Sequence, residues 1–148
     1  MQNWVFGCDI CQEACPWNRK AARSQEPDYR PRIGTVSPSL EELLSLSEEA
    51  FRERFQGTPL MRAKRSGLLR NAAVALGNSG DPSALPILKK ALEDPEPLVR
   101  GHAAWAIGQI GGPEAQALLE AAQSQESDPS VLEEIQAALR EIASRSAA

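Results

Sequence analysis

The chain has 148 residues, 42% of them apolar and 5% aromatic, with a formal net charge of −4. That is room for one ordinary domain with an appendage, and the Ala- and Leu-rich, aromatic-poor balance favours helices over sheets. The acidic sum excludes a global basic field. No apolar run approaches the roughly 20 residues of a membrane span, and no basic stretch followed by an apolar one marks a secretory leader, so a cytoplasmic protein without membrane contact is expected.

Residues 1–19 hold every cysteine and two of the three tryptophans, Trp4 and Trp17. The string is Gly7-Cys8-Asp9-Ile10-Cys11-Gln12-Glu13-Ala14-Cys15-Pro16. An odd count in so short a stretch suits metal or cluster ligation better than structural disulfides. Cys-x2-Cys lets two thiolates reach one iron–sulfur cluster, and a last cysteine followed by proline resembles the final ligand of a ferredoxin motif, which serves the other cluster in two-cluster ferredoxins. Two other readings stay open: unrelated free thiols, and zinc. Zinc would want a fourth ligand in a second knuckle, and His102, the sole histidine, falls far away and is expected to be packed or at the surface. Three thiolates complete no four-cysteine cluster. If Cys15 serves a different cluster from Cys8 and Cys11, both are incomplete, and the missing ligands are expected upstream or on a partner chain. Trp4 and Trp17 are expected to screen clusters from water.

Residues 20–37, with Pro27, Pro31, Arg30 and Arg32, are expected to form an extended connector. Over residues 39–55 the spacing of Leu40, Leu43, Leu44, Phe51 and Phe55 predicts one helix, with Ser39 and Glu42 as a capping box and Gly57-Thr58-Pro59 as its stop. Glu42, Glu48 and Glu49 are expected on its solvated face. From Arg62 onward a repeat begins: Ala72-Ala73-Val74-Ala75-Leu76-Gly77-Asn78-Ser79-Gly80-Asp81-Pro82 returns 31 residues later as Ala103-Ala104-Trp105-Ala106-Ile107-Gly108-Gln109-Ile110-Gly111-Gly112-Pro113. Asp94-Pro95 and Asp128-Pro129 mark equivalent starts. Each unit predicts two helices around a short turn, with glycines as C-caps, prolines in first turns, Ala residues at close helix approaches, and Trp105 in the core. A third first-helix over 130–142 would close the array and expose Glu133, Glu134 and Arg140. About six helices are expected after the connector, in an α-solenoid that resembles short bacterial HEAT-like repeats.

Charge is unevenly spread. Residues 52–70 carry six basic side chains against one acid, and residues 95–148 three against eight. Arg62, Lys64 and Arg65 are therefore candidate phosphate contacts, as are Arg19, Lys20 and Arg23 after the cysteines. Arg70 and Arg100 are candidates for ion pairs inside the repeats instead.

Asn3-Trp4-Val5-Phe6-Gly7-Cys8 and the cysteine string above, through Pro16-Trp17-Asn18, resemble the second cysteine motif of epoxyqueuosine reductases. The likeness continues through Leu46-Ser47-Glu48-Glu49-Ala50-Phe51-Arg52-Glu53-Arg54-Phe55, Gly57-Thr58-Pro59, Arg65-Ser66-Gly67-Leu68-Leu69-Arg70-Asn71-Ala72 and Leu76-Gly77-Asn78. The resemblance implies a C-terminal part of an enzyme that reduces epoxyqueuosine to queuosine at the wobble position of tRNA. It implies cobalamin and two [4Fe–4S] clusters, with Cys8 and Cys11 on one cluster and Cys15 on the other. It also implies HEAT-like repeats that dock tRNA, and a monomer that depends on a missing N-terminal cobalamin and ferredoxin part or an electron donor. No catalytic residue is assigned in these residues, and the chain alone is expected to be inactive. The expected architecture is mainly α: a partial ferredoxin-like segment (1–19), a connector (20–37) and a HEAT-like domain (38–148). The competing functions are a non-enzymatic HEAT-repeat binding module and a ferredoxin-like electron carrier.

Overall fold

The computed structural model describes residues 5–22, 24–27, 30 and 37–146. Trp4, Arg23, Pro31 and Arg32 lie outside the described residues, as does much of the expected connector. The first helix, α1 (Ile10–Ala14), is a single turn that carries Cys11.

Seryl hydroxyls open the helical part. Ser39 is extended, and its Oγ accepts the Glu42 amide at 3.0 Å to start α2 (Leu40–Leu44), as N-capping requires. Only half of the capping box forms, because the Glu42 carboxylate accepts from Arg54 at 2.8 Å instead. The single helix expected over 39–55 is two. Ser45 closes α2, and Ser47 accepts the Ala50 amide at 3.1 Å to start α3 (Glu48–Phe55). A serine hydroxyl offers the backbone a local alternative to helix continuation, and the break turns Leu46 inward beside Leu43, Phe51 and Phe55. The stop after α3 forms as expected: Gly57 takes φ +72, where a side chain would be strained, and Thr58 Oγ1 donates to Phe55 O at 2.7 Å.

The repeats comprise α4 (Lys64–Ser79), α5 (Leu85–Ala91), α6 (Pro97–Ile110), α7 (Gly112–Gln123) and α8 (Pro129–Ser146). Among the described residues there is no strand, and seven α-helices follow residue 37, one more than expected because of the break at 45–47. The Asp-Pro starts turn the chain into the helices: Asp81, Asp94 and Asp128 accept the amides of Ser83, Glu96 and Ser130 at 2.9, 3.0 and 2.9 Å, Asp81 and Asp128 directly ahead of a helix and Asp94 two residues ahead of Glu96, the N-cap of α6. The helices α4, α6 and α8 lie side by side, with α2, α5 and α7 packed on them.

Of the repeated glycines, two cap helices as expected and two do a different job. Gly77 and Gly108 lie inside α4 and α6, not at their ends. A Cβ on Gly77 would stand 2.8 Å from Ala106 Cα, and one on Gly108 would stand 2.6 Å from Ala138 Cβ. Both are closer than side chains pack, so these glycines set the helix crossings, and Ala106 and Ala138 are the small partners. The positive-φ caps are Gly80 and Gly111. Arg145 closes the end of α6 by donating to Gln109 O at 2.8 Å, a favourable cation at a helix C-terminus. Leu69, Leu88, Val99, Ile107, Leu119 and Ile135 are fully buried between the layers. Trp105 is only half-buried against that core, and Glu133, Glu134 and Arg140 are exposed as expected.

Candidate functional site

Gly7, at φ +74, turns the chain into the cysteine segment. Asp9 O accepts the amides of Gln12 and Glu13 at 2.9 and 2.8 Å, which winds α1. Cys15 leaves the helix extended, with its N–H on Gln12 O at 3.2 Å, and Asn18 Nδ2 donates to the same carbonyl at 3.0 Å. The backbone is thus held by its own turn, while the thiols are uncommitted: none forms a disulfide, Cys8 and Cys11 are exposed, and Cys15 is half-buried. Among the described residues no three Cys, His, Asp or Glu side chains converge on a metal-sized site. His102 makes a 2.8 Å hydrogen bond with Leu98 O within its own helix. Trp17 is 88% exposed.

The segment meets the repeats at Val5. Val5 packs against the core, and the buried Asn71 of α4 donates from Nδ2 to Val5 O at 2.7 Å. Arg70 Nε donates to Asn71 Oδ1 at 3.0 Å. Arg70, expected to meet a carboxylate, instead orients an amide.

The basic cluster separates into engaged and open members. Arg65, expected to touch phosphate, is an internal ion-pair residue. Its Nε donates to Leu46 O at 2.6 Å and its fork grips both oxygens of Asp94, one at 3.1 Å, with 12% and 7% of the two side chains exposed. The physical reason is the α5–α6 loop, which brings the Asp94 carboxylate to Arg65 at the start of α4. Arg100 repeats the arrangement one unit later: Nε and Nη2 donate to Glu126 at 2.7 and 3.0 Å, and Nη1 to Asp94 O at 2.9 Å. The Arg100 guanidinium, against a smaller opposing effect of burial, pulls the Glu126 carboxyl down to about 2. Arg52 pairs with Glu48, and Arg54 pairs with Glu42 and lies over the Phe55 ring. Arg62 and Lys64 remain exposed with no ion pair among the described residues. Lys64 takes φ +58 at the first position of α4, a costly conformation for a residue with a side chain. Arg19 and Lys20 are exposed in the turn after the cysteines, Asn18–Lys20. Sequence reasoning missed Asn71, for which a polar residue among buried alanines was the available signal, and misplaced Arg65, for which the recurrence of arginine and downstream acid was the signal.

Residues 59–140 match the family model for HEAT repeats. The chain belongs to the HEAT-repeat family. It is 46% identical over 112 residues to an epoxyqueuosine reductase of Pseudomonas aeruginosa, covering 74% of this chain and 30% of that protein. It is 38% identical over 135 residues to the epoxyqueuosine reductase of Bacillus subtilis, covering 90% and 35%. Its fold matches a crystal structure of epoxyqueuosine reductase with a tRNA-Tyr epoxyqueuosine-modified tRNA stem loop at a TM-score of 0.88 and 36% identity, covering 96% of this chain and 38% of that one. The chain thus spans about a third of the length of these relatives. Among the described residues no helix is long and apolar enough to cross a membrane.

Proposed function

We propose that this chain is the C-terminal part of an epoxyqueuosine reductase, in which it supplies cluster ligands and a tRNA-docking surface. The single observation that carries this reading is the continuous likeness, in sequence and in fold over 96% of the chain, to a reductase structure holding a tRNA stem loop. In this reading Cys8 and Cys11 ligate one [4Fe–4S] cluster and Cys15 the other. The remaining ligands and the cobalamin site lie in the part of the enzyme these residues do not include. The three-part organisation 1–19, 20–37 and 38–148 follows, with action as a cytoplasmic monomer.

The chemistry supplied by bound clusters is one-electron transfer. What these residues contribute is placement. The turn closed by Gln12 O and Asn18 presents three uncommitted thiols on a short segment held to α4. Arg62 and Lys64, with Arg19 and Lys20, offer cations that no carboxylate of the described residues occupies, and such cations meet phosphates in a salt-dependent way.

Two measurements test this. Anaerobic reconstitution of the chain joined to the upstream part of a relative is expected to give brown protein, and Cys8→Ser or Cys15→Ser to lower its iron content. Arg62→Glu with Lys64→Glu is expected to weaken binding of a tRNA anticodon stem loop. The slope of log affinity against log salt is expected to become shallower by about 0.7–0.9 for each phosphate the variant no longer neutralises. Unchanged affinity sinks the docking assignment. The chain alone is expected not to reduce epoxyqueuosine tRNA.

A further inference from the structure

Asn71 has no reason of local structure to be where it is. It lies inside α4, where Asn is a poor helix former. Its neighbours Ala72 and Ala73 are fully buried, and it is itself only 8% exposed. At the same place in the next repeat stands His102, whose ring bonds within its own helix. Asn71 instead reaches 66 residues back along the chain to Val5 O.

The orientation of the amide follows from its two partners. A carbonyl oxygen can only accept, so Asn71 must present Nδ2–H to Val5; a guanidinium can only donate, so it must present Oδ1 to Arg70. Both contacts form at once in one orientation only, at 2.7 and 3.0 Å. Val5 is the last residue of the segment that rests on the core. Phe6 is 42% exposed, and Gly7 then turns the chain away toward Cys8. The Asn71 bond therefore sits at the point where the cysteine loop leaves the repeats.

We propose that Asn71 is the positioning residue that fixes the register of the cysteine loop on the helical repeats, and so the place of Cys8, Cys11 and Cys15 relative to the basic edge at Arg62 and Lys64. The inference rests on the cluster reading for its consequence, but the contact itself is measurable in the iron-free chain.

Asn71→Asp tests it. Aspartate keeps the volume and strengthens acceptance from Arg70, but it replaces the donor to Val5 O with a second acceptor. The expected result is about tenfold faster amide exchange across residues 5–18, in line with removal of one buried hydrogen bond, and faster alkylation of the half-buried Cys15 relative to Cys8. Exchange in α5–α8 is expected to be unchanged. Equal exchange in variant and parent over residues 5–18, or an increase spread evenly through α4–α8, overturns the proposal, since the second would mark a role in repeat stability alone. Should the variant not fold, the unsubstituted chain decides. A scalar coupling across the hydrogen bond between the Asn71 side-chain nitrogen and the Val5 carbonyl carbon is expected, and its absence overturns the proposal. None of these readouts uses iron, so a failure to bind clusters and a failure of this contact are separate results.

Discussion

The cysteine segment and the repeats use polar groups in opposite ways. In the repeats, three arginines are engaged with carboxylates: Arg65 with Asp94, Arg100 with Glu126, Arg145 with Glu141. No buried side-chain polar atom among the described residues lacks a partner. In the cysteine segment, α1 buries nothing, the thiols are free, and Phe6, Ile10 and Trp17 are exposed. The first region is arranged to be stable, and the second is held in place by the first while its chemistry stays open to partners. Two neighbouring residues show the division at the start of α4, where Arg65 faces inward and Lys64 faces water.

This contrast can be broken or sharpened experimentally. The largest effect is expected from Arg65→Ala, which leaves Asp94 buried without its cation; removing one partner of a buried pair costs about 3–5 kcal/mol, readable as a drop in denaturant midpoint. Gly108→Ala comes next. The new methyl would meet Ala138 Cβ at 2.6 Å, and overpacking of about 2 kcal/mol outweighs the roughly 1 kcal/mol that Ala gains over Gly in a helix. A stability gain in calorimetry would show that the α6–α8 crossing is looser than described.

A comparable contribution is pH-dependent. The folded Glu126 carboxyl titrates near 2 rather than at its ordinary 4.5. Its stabilisation is therefore complete above about 4.5 and is lost as the pH falls toward 2, on the order of 2 kcal/mol. Glu126→Gln is expected to flatten the melting temperature against pH within that window. A smaller effect, of opposite sign, is expected from Lys64→Gly. Relief of φ +58 stabilises by about 1 kcal/mol, while RNA affinity falls, so stability and function separate at one residue. The smallest belongs to the cysteines: Cys8→Ser with Cys11→Ser is expected to shift stability of the iron-free chain by less than about 0.5 kcal/mol, because exposed side chains away from caps and core contribute little. A large destabilisation would mean that the two regions are not divided as described.

The helical character, the repeat of 31 residues, the Asp-Pro starts and the cysteine spacing were legible in the residues themselves. All rest on local rules: periodicity, capping, and the short reach of a Cys-x2-Cys turn. The break at Ser45 and Ser47 was within reach, since two seryl caps lie in the sequence, but the periodic leucines masked it.

What only the tertiary structure decided lies at long sequence separation. Arg62, Lys64 and Arg65 have the same local chemistry, and nothing in their order says that Asp94, 29 residues on from Arg65, will take one of them and leave the others open. The interior glycines look like helix stops until Ala106 and Ala138 are brought against them. Asn71 looks like an ordinary helix residue until the fold carries Val5 to it. In each case the side chain's role is set by a partner that only packing supplies, because charge pairing, steric contact and buried hydrogen bonding all depend on distance in space rather than position along the chain.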